Sequence, residues 1–197
     1  MKSIHDFIVY TDIVFNETFK TESGLELFGD NRFLQKRLAQ REVEIKAMPL
    51  NYEGEDIVGY QAFIDPTIYF QNLYDHGKGA NNEIIGHKGF FKVQANMILA
   101  IRKDENSEWK GFGENLVVSK VMDSGEEKKS GLIITEIAKP KELKGVAVVE
   151  IPNDDLLRDE VSKGDTIRYN DYYGVDVYID DKEYTWIRTK DCLAKVG

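Results

Sequence analysis

Four blocks of this 197-residue chain occur twice and in the same order, and that duplication constrains the fold more than any other feature. Phe7-Ile8-Val9 corresponds to Leu116-Val117-Val118. Each is followed by a Ser-Gly step into an aliphatic segment, Ser23-Gly24-Leu25-Glu26-Leu27 in the first half and Ser130-Gly131-Leu132-Ile133-Ile134 in the second. The run from Asp65 to Tyr74 aligns without a gap with Gly164 to Tyr173, and Met97 to Ile101 aligns with Asp191 to Lys195. The blocks consist of short β-branched and aromatic runs punctuated by Gly, Asn and Asp, which predicts strands, including Thr67-Ile68-Tyr69-Phe70 and Thr166-Ile167-Arg168-Tyr169. Only Asn31 to Arg41 has helix-forming composition, and it is too short to hold a helix without packing.

An all-β chain of two tandem domains is therefore expected, residues 1–102 and 112–197, with the charged, aperiodic segment 103–111 as linker. Hydrophobic residues at 42% and charged residues at 31% exclude wholesale disorder, and no apolar run approaches the ~20 residues of a membrane span. A net charge of −9 argues against a nucleic-acid partner, which needs clustered Lys and Arg. The single cysteine, Cys192, cannot close an internal disulfide, and the N-terminus reads as neither signal nor transit peptide. The expected location is cytoplasm, of a bacterial cell or of an infected host if the chain is phage-encoded.

Constellations with chemistry are missing. His5, His76 and His87 lack metal-ligand spacing, and Gly77-Lys78-Gly79 lacks the P-loop frame. There is no G-x-S-x-G elbow, and Cys192 beside Leu193 suits a small buried side chain better than a nucleophile. Asp154-Asp155 and Asp159-Glu160 lack calcium-loop spacing and read as a solvated acidic loop. Tyr169, Tyr172 and Tyr173 offer a stacking surface that the acidic balance disfavours for single strands. The reading is a binding protein without metal, cofactor or catalytic residues.

Residues 112–197 resemble a GroES-type co-chaperonin subunit, the ten-kilodalton chaperonin family, over nearly their whole length. The resemblance rests on the opening strand Glu114 to Val118, the loop Ser130 to Thr135, Lys144 to Val149, Val161 to Ile167, Tyr169 to Val175, the turn Ile179 to Tyr184 and the ending Lys190 to Ala194. The first half is similar at Ile4 to Val9 and Asn96 to Ile101. It departs in a longer segment from Leu27 to Arg41, an extra stretch at Asn51 to Asp56 and a lengthened hairpin at Gly77 to Gly86. The resemblance implies two tandem GroES-like β-barrels and a homo-oligomeric ring that caps a GroEL-type chaperonin, with ATP bound by the partner. It implies no enzymatic activity.

The Ser-Gly segments are the expected contacts: Gly131, Leu132, Ile133 and Ile134 in the second half, Gly24, Leu25 and Leu27 in the first. Each is polar around its aliphatic core and is expected to be mobile when free, because it buries too little to offset backbone ordering. Extended on a partner, Leu132 and Ile134 would share one side, as would Leu25 and Leu27, with Glu26 outward. Two aliphatic anchors at ~1.5–3 kcal/mol each bind weakly alone, and a ring multiplies them through effective concentration. Two other classes compete. A virion-structural or assembly protein that kept the barrels without the folding role is motivated by Glu26 and the first-half insertions. An alcohol-dehydrogenase catalytic domain would need a fused G-x-G-x-x-G domain, which is not present.

Overall fold

Alternation of buried and solvent-facing residues builds the strands. In β4 (Glu42–Ala47), Val43, Ile45 and Ala47 are buried while Glu42, Glu44 and Lys46 face outward. The computed structural model describes residues 2–21, 23–30, 35–69, 82–84, 86–123, 141–179 and 182–196. Before β4 come β1 (Phe7–Tyr10), β2 (Thr18–Lys20), β3 (Glu26–Phe28) and the single-turn helix α1 (Gln35–Leu38). After it come β5 (Gln61–Ile64), β6 (Phe90–Val93), β7 (Ile98–Arg102) and β8 (Lys110–Gly111). The remainder holds β9 (Asn115–Asp123), β10 (Lys141–Ile151), the short helix α2 (Asp154–Arg158), β11 (Thr166–Tyr169), β12 (Val175–Ile179), β13 (Lys182–Arg188) and β14 (Cys192–Val196).

The chain is all-β, with two antiparallel six-stranded sheets and a separate ribbon of β2 and β3. The first sheet runs β6-β1-β4-β5-β7-β8 and the second β12-β13-β9-β10-β11-β14. Five strands follow the same order in both: β6, β1, β4, β5, β7 in one and β13, β9, β10, β11, β14 in the other. Among the described residues no ladder joins the two edges of either sheet, so neither closes on itself by strand pairing.

Hydrogen bonds fix the correspondence residue by residue and correct one sequence block. The Gly59 amide donates to Ile45 O, and the Gly164 amide donates to Val149 O. The Asp65 amide donates to Met97 O, and the Asn170 amide donates to Asp191 O. Asp65 thus corresponds to Asn170, not to Gly164, and β5 corresponds to β11. Thr67-Ile68-Tyr69 is not a strand: Pro66–Tyr69 is a 3-10 turn, matching the turn Asp171–Tyr173. The similar lettering of Asp-Pro-Thr-Ile-Tyr and Gly-Asp-Thr-Ile-Arg hid a six-residue offset. Pro66 lacks the amide a central strand would donate.

The segment read as a linker ends in packed structure. Lys110 and Gly111 pair with Ile101 and Ala100, and the Trp109 ring meets Phe63 edge-on at 6.0 Å. Phe63, Leu99 and Ala100 from the first sheet form one apolar cluster with Val117, Ile151, Val177 and Ile179 from the second. Asn115, 3% exposed, seals it: its Nδ2 donates to Ile98 O at 2.7 Å, and its Oδ1 accepts from Trp186 Nε1 at 3.0 Å. Asn153, fully buried, donates to Gly113 O and Thr189 Oγ1 and caps α2 by accepting the Leu156 amide.

Candidate functional site

The connection from β1 to β4 carries an arm. Phe19 faces Leu27, Lys20 faces Glu26 and Thr18 faces Phe28 across the β2–β3 ladder. The turn closes when the Thr21 amide donates to Leu25 O at 2.9 Å and the Gly24 amide donates to Thr21 O at 2.8 Å. Gly24 sits at φ +80, in the left-handed region that side-chain-bearing residues avoid. Glu26 accepts from Thr18 Oγ1 at 2.8 Å.

This segment, expected to be mobile when free, forms a paired ribbon. The reason lies beneath it. Leu38 is fully buried against Gly29, and Leu38 O accepts the Asn16 amide at 2.7 Å, so α1 backs the arm's base. The Arg37 guanidinium lies 4.4 Å from the centroid of Phe19 and 4.4 Å from that of Tyr178 in β12. Its Nη2 also donates to Lys20 O at 3.3 Å.

Three apolar side chains stand out from the arm: Leu25 at 60% exposure, Leu27 at 38% and Phe28 at 86%. Gly24, Leu25 and Leu27 were expected here. Phe28 was missed, although the unbroken Leu27-Phe28-Gly29 run was a visible signal. Period two places Phe28 on the opposite face from Leu27, so the tip is apolar on both sides. The second arm, Gly131, Leu132, Ile133 and Ile134, lies outside the described residues. Its place in the chain is equivalent, between β9 and β10 as the first arm lies between β1 and β4.

Among the described residues, the remaining candidates sit as follows. Burial pushes the Cys192 thiol up to about 11, with Asp191 adding in the same direction, and Sγ lies 3.7 Å from Arg188 O. Asp154 pairs with Lys110 at 2.8 Å and Asp155 with Arg158 at 3.2 Å; these two acids form the first turn of α2 rather than a loop, while Asp159 caps its C-terminus and Glu160 lies in the turn beyond. Tyr169 is buried, whereas Tyr172 and Tyr173 are 89% and 63% exposed. His76 lies outside the described residues, and His87 packs edge-on against Phe90. Among the described residues no group of three or more His, Cys, Asp or Glu is placed to hold a metal ion. No helix there is long and apolar enough to cross a membrane.

Comparison with known proteins gives this geometry its context. The chaperonin 10 Kd subunit family matches residues 108–196, the stretch from the end of the expected linker through β14. Co-chaperonin GroES of Fervidobacterium nodosum is 36% identical over 91 residues, covering 44% of this chain and 94% of that protein. Co-chaperonin GroES of Clostridium beijerinckii is 36% identical over 91 residues, 44% of this chain and 96% of that protein. Co-chaperonin GroES of Anoxybacillus flavithermus is 36% identical over 93 residues, 45% of this chain and 98% of that protein. With almost the whole length of these proteins accounted for by its second half, the chain belongs to the chaperonin 10 Kd subunit family.

Proposed function

We propose that this protein is a co-chaperonin with two tandem GroES-like barrels, residues 1–102 and 112–197, that caps a GroEL-type chaperonin in the cytoplasm and assists ATP-dependent folding. ATP is bound and hydrolysed by the partner; this chain binds without catalysis. The observation that carries the reading is the exposed tip of Leu25, Leu27 and Phe28, held on the connection equivalent to the one that bears Leu132, Ile133 and Ile134 in the family-matched half. An apolar tip of this size on a projecting ribbon is a contact waiting for a groove.

The internal joint supports the ring. Leu99 in β7 is 1% exposed because β8 and the second half cover it, whereas its counterpart Leu193 in β14 is 69% exposed. A second copy supplies the missing cover when the residues ahead of its β1 add to β14, as Lys110–Gly111, ahead of β9, add to β7. Such a head-to-tail contact closes into a ring when the rotation permits.

A pull-down with a bacterial GroEL-type chaperonin in ATP tests the assignment. Leu132→Asp with Ile134→Asp is expected to lower retention at least about tenfold, since two anchors of ~1.5–3 kcal/mol each are lost per chain. Retention equal to wild type overturns the assignment. Inability to replace a cell's own co-chaperonin, together with incorporation into a particle, would instead identify an assembly protein.

A further inference from the structure

We infer that Arg37 is a positioning residue that latches the first arm to the second half of the chain. Its guanidinium is stacked between Phe19 on the arm and Tyr178 on β12, and it donates to Lys20 O from the same position. The inference rests on the reading of the arm as a chaperonin contact.

The face of the ribbon decides what the latch does. Phe19 and Leu27 are register partners and share a face, and that is the face Arg37 covers. Leu27 is accordingly the least exposed of the three apolar tip residues, at 38%, while Phe28 on the other face reaches 86%. Docking Leu25 and Leu27 together into a groove requires the Phe19 face to leave Arg37 and Tyr178. The latch restrains the arm, and a partner must displace it.

The anchoring side is rigid. Tyr178 stands between the buried Val177 and Ile179 in a strand paired along its length with β13. Arg37 precedes Leu38, which is fixed by burial. Beyond its ladder, its turn and the backing of its base by Leu38, the guanidinium between two rings links the arm to the second half. An arm in one half is thereby coupled to a strand in the other.

Hydrogen exchange on the full chain reads the latch directly. Tyr178→Ala and Arg37→Ala are expected to raise amide exchange across Thr18–Phe28 about two- to fivefold, the change that loss of one exposed cation–π contact produces, while Tyr178→Phe leaves it unchanged. Chaperonin affinity is measured in a background of Leu132→Asp and Ile134→Asp, so that only the first arm reports. There Tyr178→Ala is expected to tighten binding by a similar factor, which loss of a purely structural contact would not do. Unchanged exchange in both alanine variants overturns the latch. Faster exchange with weaker binding also overturns it, because Arg37 would then present the arm rather than restrain it. A background chain that never binds the chaperonin overturns the first arm's role as a contact, and exchange alone then decides the latch.

Discussion

Asn115 satisfies polar groups from both halves of the molecule, Ile98 O on one side and Trp186 Nε1 on the other, from a site that is 3% exposed. Asn115→Ala takes this partner from both groups, which is expected to cost about 1–3 kcal/mol, read as a lower urea midpoint by tryptophan fluorescence. Cys192 gives a pH signature. Its folded thiol titrates near 11 against the ordinary 9.0, so between those values the folded state holds a proton the unfolded state has lost. Stability declines as pH rises through that window. The difference between wild type and Cys192→Ser is expected to be flat below pH 9 and to change only above it, measured by urea unfolding across pH. The strand setting of Cys192 was legible in the sequence; the structure leaves its side chain half-buried rather than buried. The buried role of Asn115 was not legible, because a polar residue at a strand start carries no mark of partners drawn from 17 and 71 residues away.

At the level of the elements, the alternating strands were the most readable part. Val43-Glu44-Ile45 and Val175-Asp176-Val177 carry the period of two that a half-buried sheet demands. The failure at Thr67-Ile68-Tyr69 came from matching letters where the backbone supplies the better key. Gly59 at φ +87 and Gly164 at φ +91 hold equivalent positions. Gly164→Ala meets open space but a strained backbone. It is expected to cost about 1–2 kcal/mol, visible as a reduced thermal midpoint. Asn31 to Arg41 was recognised as helical in composition, and the described helix is the single turn α1, stabilised by burial of Leu38. Mobility of the first arm was inferred from its lack of internal apolar content. That argument considered the segment alone, and the ribbon also rests on Leu38, Arg37 and the distant Tyr178.

Across the whole molecule, the two sheets share a five-strand order, a repetition in keeping with the repeated blocks of the sequence, although the Asp65 to Tyr74 block was matched out of register. The joint between the halves was not legible, because charged residues around Trp109 masked a packed strand. Among the described residues β14 is an edge strand, and the proposed ring places a second copy there. Leu193→Asp is expected to shift native mass spectra toward single chains at low micromolar protein while leaving the circular dichroism unchanged. An unchanged mass distribution would rule out β14 as the seam between copies.

β8 and β9 are separated by only three residues, Phe112 to Glu114. This tether gives the internal seam a local concentration that no dilution can lower. In the proposed ring the seam between copies would have no such protection. As protein concentration fell, chain would part from chain and not half from half, so every fragment of that ring would still carry one finished joint and both of its arms.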